Sequence, residues 1–484
     1  MSALRGCAIA WCAFLLASRP AVGTTYHVAP DSSGDVANIQ AAIDAAASGD
    51  EIILSDGTFT GDGNWDLNFG TKDLVLRSVN GYEATIIDCG FHGQEVVHSG
   101  VTLEGGQTGA TVIDGLTIQA ILSHGDARAI RCVGASPVIQ RVRIRESLAV
   151  DDVHGLGIFV ESGSPIIVDC VFGPTTWRTG GDGAAIYGEE SWLTVRSCSF
   201  TSCYGFPVVR LDGGTIEDCT FDGTRASEDD LGLCIRVAGG RASIVRCRFR
   251  HSFGGGIAID AGEVLVGTCA FENNTTDYAA GVYGSGTITI RNTTFRANLA
   301  AYGTSVVGCQ GAIVLDHCVF AGNQANWDSS GEVSLGSGSL AVTHCSFVGN
   351  LGGEGGASIR VASGSELAID HSIIALGGGG FSSPHTAVRC DGSPLALAVA
   401  CTDIFGNDGG DWTGCVAGME TTNGNLSADP LFCGTTTGDF SLQANSPCAP
   451  PNSGGCGLIG ALGVACGATA LQDRSWGSIK ALYR

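Results

Sequence analysis

A motif in which cysteine stands two residues before phenylalanine recurs along the chain and constrains its fold more than any other feature. It appears in "ASIVRCRFRHS", "VLVGTCAFENN", "IVLDHCVFAGN" and "LAVTHCSFVGN". Successive side chains of a β-strand alternate between its two faces, so the cysteine and the phenylalanine of each motif point the same way. The motif therefore predicts strands that each place a Cys and a Phe on one side.

Aligned on Cys345, the segments give 13 equivalent positions from Cys89 to Thr402, at a mean interval of about 26 residues, which is typical of a solenoid. The residue two places later (Phe91 in the first segment) is always Phe or Ile, and the residue three places earlier (Ile86) is always Ile, Val or Leu. An odd spacing of three residues separates the Ile, Val or Leu position from the cysteine position. Both can point inward only if the chain turns a corner between them, because side chains within one strand alternate with a period of two. We predict stacked coils in which successive residues of each inward column lie about 4.8 Å apart, and in which the cysteines are buried and reduced. Some bridging between adjacent coils is the alternative.

The two ends of such a rod would expose strand edges, and the sequence offers a cap for each. In "DVANIQAAIDAAASGDEI", Ile39, Ala42, Ile43 and Ala46 share one helix face, and Gly49 can end the helix. At the other end, seven cysteines predict a disulfide-stapled terminal segment of undetermined connectivity: Cys390, Cys401, Cys415, Cys433, Cys448, Cys456 and Cys466.

Composition and the N-terminal segment predict an extracellular protein. Residues 1–23 have the basic start, short apolar run and small-residue end of a signal peptide, and this run is too short to span a membrane. We assign residues 24–385 to the rod with its N-terminal cap, 386–466 to the last coil with the Cys-rich cap, and 467–484 to a short tail. The net charge of −23 argues against nucleic acid and anionic membranes as partners. No later segment reaches membrane-spanning length.

Several segments allow the fold to be named. Over residues 25 to about 410, the chain resembles the right-handed parallel β-helix (pectin-lyase-like) superfamily. "IQAAIDAAASGDEIILSDGTF" is similar to its N-terminal cap and first coil. The segments "FENN", "FRAN", "FAGN" and "FVGN" resemble repeats of polymorphic outer-membrane and adhesin-like members, and "ADPLFCGTTTGDF" resembles the end of bacterial secreted members. The resemblance implies an all-β, right-handed parallel β-helix solenoid of about 13 coils, in a superfamily that contains lyases, hydrolases and non-enzymes.

One acidic segment is the candidate catalytic site. Asp151 and Asp152, with His154 nearby, match part of the motifs of polygalacturonase-like hydrolases. Paired carboxylates could perform acid and base catalysis, although a solvated loop explains them equally well. The Arg-x-Lys motif of those enzymes is impossible here, because the chain has no lysine between Lys72 and Lys480.

The same acids are candidate metal ligands. Asp151, Asp152 and Asp182 could bind calcium, as in calcium-dependent pectate lyases. The next acids, Asp229 and Asp230, lie two coils from Asp182, and about 9.6 Å is too far for one ion. We therefore expect no cofactor, with calcium as the alternative.

Arginines concentrate on outward positions of two coils, and one row, Arg246, Arg248 and Arg250, is the candidate contact for an anionic glycan. Ion pairing between strands is the alternative. The expected partners are Asp218 for Arg246 and Asp222 for Arg250. In the other row, Arg141 is expected to pair with Asp169.

Three histidines occupy one corner position on successive coils: His317, His344 and His371. Neighbouring imidazoles about 4.8 Å apart could share a metal ion, with Asp316 and Asp370 beside them. A solvated ladder of side chains is the alternative.

Together these features indicate a secreted or cell-surface protein that binds a polysaccharide or a surface partner along the solenoid face as a monomer and without catalysis. A polysaccharide lyase or glycoside hydrolase that acts on acidic glycans is the alternative. A purely structural rod is a third interpretation.

Overall fold

The computed structural model describes residues 23–90, 97–123, 127–149, 155–177, 185–203, 207–225, 233–277, 280–353, 356–379 and 384–467. Within these ranges the chain forms the expected all-β, right-handed parallel solenoid, of about 15 turns. The alignment predicted about 13, because the first turns lack the Cys-x-Phe motif. No helix in these ranges is long and apolar enough to cross a bilayer.

Each complete turn contributes strands to three faces, and every face is a parallel sheet. The strands of the first face are Leu67–Asn68, Val101–Leu103, Ile130–Val133, Ile158–Glu161, Ile186–Glu189, Val209–Leu211, Ile235–Val237, Ile257–Ile259, Ala357–Val361 and Thr386–Cys390. Three long strands run through both the first and the second face: Val282–Arg291, Leu299–Asp316 and Gln324–Thr343.

The second face begins with the earliest strand of the chain. Besides the three long strands, its strands are Thr25–Val28, Glu51–Leu54, Val75–Ser78, Val112–Asp114, Val138–Gln140, Ile166–Val168, Trp192–Arg196, Gly213–Glu217, Arg241–Val245, Glu263–Gly267, Glu366–Asp370 and Ala396–Ala400.

The third face has 14 strands: Gly57–Phe59, Thr85–Asp88, Thr117–Gln119, Arg143–Arg145, Val171–Phe172, Ser199–Thr201, Thr220–Asp222, Arg248–Arg250, Ala270–Glu272, Thr294–Arg296, Val319–Ala321, Ser346–Val348, Ile373–Ala375 and Asp403–Phe405. Short strands lie after it at Leu122–Ser123, Ser147–Ala149, Thr175–Trp177, Thr275–Thr276, Leu351–Gly352 and Gly378–Gly379.

The inward columns are confirmed by burial and stacking. The column residues from Leu116 to Thr402 are at most 3% exposed. Eight phenylalanine rings, from Phe172 to Phe347, form one continuous stack with centroids 4.5–4.9 Å apart. The Cys-x-Phe pair therefore points into the core.

The first segment of the alignment is wrong. Ile87 pairs with Ile118 on the third face, and Leu76 pairs with Ile113 on the second. Ile86, which we assigned to an inward column, is partly exposed. The sequence "CGF" at 89–91 imitates the motif four residues out of register, because Ile87 and not Phe91 occupies the position of Ile118. Phe91 lies outside the described residues.

Both terminal segments contain regular elements. The helix Ile39–Ala45 buries Ile39, Ala42 and Ile43 against the first turns, and the Asn38 side chain accepts a hydrogen bond from the Ala41 amide at its start. The helix ends at Ala45, four residues before Gly49, the residue that the sequence suggested as its end. At the other end lie the 3₁₀ turn Gly414–Val416 and the strands Phe432–Gly434, Asp439–Gln443 and Val464–Cys466.

The cysteines divide as predicted. Three disulfides join six of the seven terminal cysteines: Cys390–Cys415, Cys401–Cys456 and Cys433–Cys466. The cysteines of the ladder are free and buried. Burial raises the pKa of Cys132 to about 12, so such thiols are not nucleophiles at neutral pH.

Candidate functional site

The acidic residues proposed from the sequence are not tested by this structure. Asp151, Asp152, His154 and Asp182 all lie outside the described residues. In the sequence they precede the first-face strands Ile158–Glu161 and Ile186–Glu189. Their catalytic and calcium-binding roles stay predictions.

The arginine row on the outer wall is ion-paired. Arg246 makes a bidentate contact with Asp218, at 2.7 and 2.9 Å, and Arg250 lies 3.0 Å from Asp222, so both expected partners are confirmed. Arg248 approaches Glu272 at 3.9 Å. The arginine row therefore forms ion pairs between neighbouring strands. Its binding to an anionic ligand stays a prediction.

Arg141 pairs with Asp114 instead of Asp169. Like Arg246, its guanidinium extends towards the preceding coil. The sequence does not indicate in which direction along the rod a corner side chain will extend.

A shallow groove with an exposed indole crosses the second face. It has a volume of about 360 Å³, and its lining includes Trp192, Thr215, Arg241, Ser243 and Glu263. Trp192, Gly213, Arg241 and Glu263 occupy one outward column on four successive strands. Gly213 has no side chain, so a gap remains between the ring of Trp192 and the long side chain of Arg241. This gap is the groove.

The polar groups of this indole groove are exposed and paired. The side chain of Trp192 is half exposed, and its ring leans over Gly213, where an added Cβ would lie 3.0 Å from the ring atoms. Arg241 contacts Glu263 at 2.5 Å while their side chains stay 72% and 59% exposed. The groove thus presents an aromatic surface beside hydroxyls and a solvent-accessible ion pair.

A second groove, of about 410 Å³, lies on the first face. Tyr283, Gly308 and Ser334 follow one another in one outward column, with Ser285 and Gln310 at the side. Gly308 again leaves the gap. Burial, followed by the charge of Asp260, raises the pKa of Tyr283, so the tyrosine hydroxyl is neutral and can donate a hydrogen bond.

Further back along the same column, two adjacent aromatic rings are flanked by arginines. Phe159 stacks on Tyr187 with their centroids 5.7 Å apart, and the Arg210 guanidinium lies 4.7 Å from the Tyr187 centroid. Arg131 lies 5.9 Å from the Phe159 centroid. Because cation–π contacts already cover these rings, the free aromatic surface of this column is at Tyr283.

Neither groove aromatic, Trp192 or Tyr283, was predicted from the sequence, although the strand pattern contains a signal for Trp192. Trp192 stands three residues before the inward Val195 and one before the inward Leu193, so the alternation within its strand places it outside. An aromatic residue at an outward position, followed by glycine at the same position of the next coil, is the feature that marks both grooves.

The histidine ladder is present as expected. The ring centroids of His317 and His344 are 4.7 Å apart, and those of His344 and His371 are 4.9 Å apart. Asp316 lies 2.7 Å from Nδ1 of His317, and Asp370 lies 2.8 Å from Nδ1 of His371.

A buried polar cluster, not expected from the sequence, lies inside the rod. Glu332, Ser358 and His385 are at most 1% exposed. Nε2 of His385 is 3.1 Å from the Ser358 hydroxyl and 3.6 Å from Glu332. Both partners approach the same ring nitrogen, whereas a catalytic triad needs the acid on the opposite nitrogen. With no exposed atom, the cluster is a structural feature of the core.

Comparison with known proteins identifies the fold. A model described as the right handed beta helix region matches residues 128–295 and 208–375, which together cover just over half of the chain. The chain belongs to the right-handed β-helix family. Membership of this family confirms the resemblance to the pectin-lyase-like superfamily that the sequence suggested. A search of curated proteins finds no match.

Solved structures with a related fold include enzymes and an adhesin. The catalytic domain of a family 87 α-1,3-glucanase is 10% identical with a TM-score of 0.41, and the match covers 79% of this chain but 66% of that one. The A-module of a mannuronan C-5 epimerase from Azotobacter vinelandii is 14% identical (TM-score 0.35; coverage 75% and 93%). PfbA, a surface adhesin of Streptococcus pneumoniae, is 10% identical (TM-score 0.27; coverage 76% and 86%). Likenesses this weak carry no information on activity.

Proposed function

We propose that this β-helix protein is secreted or held at the cell surface and binds glycans on the outer faces of the solenoid without cleaving them. The observation that carries the proposal is the indole groove of the second face. Sugar rings bind proteins through an apolar face and a rim of hydroxyls, and the groove offers a matching surface for each.

The chemistry of the groove favours a saccharide over other ligands. The half-exposed indole of Trp192 can pack on the C–H face of a pyranose, because aromatic surfaces combine a large contact area with little loss of conformational freedom. The Thr215 and Ser243 hydroxyls and the Arg241–Glu263 pair provide donors and acceptors for a diol. The groove is open and shallow, which suits a chain that passes over it.

The Tyr283 groove extends the proposed surface to the first face. Arg–Asp pairs stand in its column on either side: Arg236 with Asp260 at 2.9 Å and Arg360 with Asp391 at 2.6 Å. These pairs can hydrogen-bond to hydroxyls without a net charge that would attract polyanions. An extended glycan is therefore the proposed ligand of both faces.

The cellular setting is part of the proposal. A signal peptide at residues 1–23, three disulfides and a net charge of −23 fit an extracellular, soluble monomer whose partners are polysaccharides or surface molecules. No cofactor is required for binding in this proposal. Calcium held by Asp151, Asp152 and Asp182 is the alternative, and a binding assay with added calcium or a chelator tests it.

A glycan array probed with the mature, calcium-free protein is the first test. We expect binding to a defined set of saccharides, and Trp192→Ala should weaken that binding by about tenfold or more, as for an aromatic residue central to an interface. Phe253→Ala is the matched control, since Phe253 is 44% exposed and lies outside both grooves. Absence of any ligand, or equal losses in the two variants, would contradict the proposal.

Cleavage assays separate binding from catalysis. We expect neither ultraviolet absorbance from unsaturated ends nor release of reducing sugar from polygalacturonate or alginate, with or without calcium. A signal that Asp152→Asn abolishes would establish the alternative, a lyase or hydrolase of acidic glycans that uses Asp151, Asp152 and His154. A signal that survives this change would place the catalytic site elsewhere.

A further inference from the structure

The histidine ladder, defined as His317, His344 and His371 with Asp316 and Asp370, is a cluster of metal-ligating groups that glycan binding does not use. Each histidine occupies the tight corner between the second and third faces and has a positive φ of 46–52°. The corner amides of His317 and His344 donate to the following coil, which fixes the register of the ladder.

We propose that the ladder binds one divalent transition-metal ion through Asp316, His317 and His344, with His371 and Asp370 as the neighbouring pair that completes or supports the site. The ligand atoms of the first three residues all lie within 4.8 Å of one another. In the part of the chain that the structure describes, no other group of three His, Cys, Asp or Glu side chains lies this close.

The distances require only side-chain rotation. Two ligands of a tetrahedral zinc ion at bond lengths near 2.05 Å are about 3.3 Å apart. The distance between ligand atoms must therefore shorten from at most 4.8 Å to about 3.3 Å. Rotation of the side chains can do this while the adjacent strands keep their backbone spacing. The side chains of His317 and His371 are 41% and 25% exposed, so the rings have room to turn. Histidines held at neighbouring corners of the solenoid need less ordering than histidines on a long loop.

The charges of the ladder and one unpaired nitrogen also suit a metal. Asp316 beside His317 and Asp370 beside His371 add negative charge at both ends. Nδ1 of His371 is buried and, despite its short distance to Asp370, is not aligned for a hydrogen bond with it. The ladder therefore combines two carboxylates with a buried imidazole nitrogen that has no hydrogen-bond partner among the described residues.

The ligand set predicts the class of ion. Imidazole nitrogens favour Zn²⁺, Cu²⁺ and Ni²⁺, whereas Ca²⁺ and Mg²⁺ take oxygen ligands. The site differs in this respect from the calcium site that Asp151, Asp152 and Asp182 would form. Its position on the outer wall, at the corner away from the Tyr283 groove, makes a structural or surface-linking ion the expected use.

The test uses the untagged mature protein, since an affinity tag of histidines would bind the same ions. Isothermal titration with Zn²⁺ and with Ca²⁺ should give about one zinc per chain and no calcium at the ladder. Copper substitution should show nitrogen superhyperfine splitting in the electron paramagnetic resonance spectrum. The key variant is His344→Asn, because Asn292 occupies the equivalent corner, with a φ of 49°, one coil before His317. The chain therefore already accepts asparagine in this conformation.

We expect His344→Asn to weaken zinc binding at least tenfold and to remove the nitrogen splitting while the melting temperature of the metal-free protein stays close to that of the parent. His251→Asn is the matched control: His251 also has a positive φ and an aspartate partner, Asp222 at 3.2 Å, but no imidazole beside it. Undetectable zinc binding would overturn the proposal. Binding that His344→Asn leaves unchanged, or that both variants reduce equally, would also overturn it.

Discussion

The interior of the rod has two regions that differ in chemistry although they share the same coil. Between Phe172 and Phe347 the core contains stacked rings and aliphatic columns. Near the end of the solenoid, Glu332, Ser358 and His385 place a carboxyl, a hydroxyl and an imidazole in the same interior. One column connects the two regions, because Gly281, Val306, Glu332 and Ser358 follow one another on successive coils.

This connecting column points at the aromatic stack. A Cβ added to Gly281 would lie 2.7 Å from the ring of Phe295, so there is almost no space at that level. Two coils later the same column carries Glu332. Neither of its carboxylate oxygens has a hydrogen-bond partner among the described residues, and burial raises its pKa to about 8. At this position, burial therefore favours the neutral form of the carboxyl group.

Space for the polar region comes from missing side chains. A column of buried asparagines holds one corner of the rod: Asn274, Asn298, Asn323, Asn350 and Asn407. Gly377 interrupts the column between the last two, and its missing side chain leaves room for His385. A Cβ on Gly377 or on Gly352 would collide with the imidazole. In both regions the geometry of the coil determines which positions point inward, whereas the side chains of the neighbouring coils determine which residues fit there.

The largest expected effect comes from a charge in the apolar region. Phe295→Asp should destabilise the protein by about 4 kcal/mol or more, because it removes a ring from the stack and leaves a carboxylate without a partner. Urea unfolding followed by circular dichroism measures the change. Thr294→Asp, on the outer side of the same strand, is the control and should change stability little. A Phe295→Asp midpoint equal to that of the parent would refute the inward assignment.

The polar region should show an effect of pH. Because the folded pKa of Glu332 is about 8 and that of a free Glu side chain about 4.5, the folded state keeps a proton that the unfolded state loses, and stability falls as pH rises through this window. His385, with a pKa lowered to about 4, has the opposite slope below pH 6.5. Between pH 6.5 and 8, Glu332 but not His385 changes the free energy of unfolding, and its contribution falls by about 2 kcal/mol.

The measurement compares Glu332→Gln with the parent at pH 6.5 and pH 8. The parent should lose about 2 kcal/mol more than the variant over this interval. Asp403, whose pKa burial raises to about 7, adds a slope of the same sign to both proteins and cancels in the difference. Glu366→Gln, at an exposed position, should follow the parent. Equal slopes in all three proteins would mean that Glu332 is solvated.

These two regions differ in how far the sequence predicts them. The apolar columns were predictable because the corner between the second and third faces has a constant length, which keeps Val342, Cys345 and Phe347 at fixed spacings. The alignment failed at Cys89, where a longer turn after Leu76 changes the register. Glu332 and His385 follow segments of variable length, so no fixed spacing from a column marks them as buried.

The candidate sites show the same limit. The ion pairs of Arg246 and Arg250 could be predicted, because a repeat of known period places their partners one coil away. The grooves depend on which outward neighbours are glycine, as at Gly213 and Gly308, and the alignment considered only inward columns. The stacking of the histidine ladder followed from its constant interval of 27 residues.

A smaller effect is expected when a polar group enters the apolar region with its partners provided. In Cys345→Ser the hydroxyl can donate to the Thr343 carbonyl, as the thiol does at 3.3 Å. Ser372, one coil later, already makes the equivalent bond to Asp370 at 2.9 Å. We expect a loss of about 1 kcal/mol by urea unfolding. Cys345→Asp, which adds a charge at the same place, should cost several times more, and equal costs would contradict the distinction between satisfied polar groups and buried charges.

The smallest effect should come from the outer wall, where charges remain in water. Arg246 is half exposed although it makes a bidentate contact with Asp218. Because solvent and salt screen such pairs and ordering two side chains offsets part of the gain, Arg246→Ala should melt within about 2 °C of the parent. Repeating the scan in 1 M NaCl should reduce even this difference. A loss as large as that of Phe295→Asp would show that the arginine row stabilises the solenoid, and the contrast between a charge-sensitive interior and a charge-tolerant wall would no longer hold.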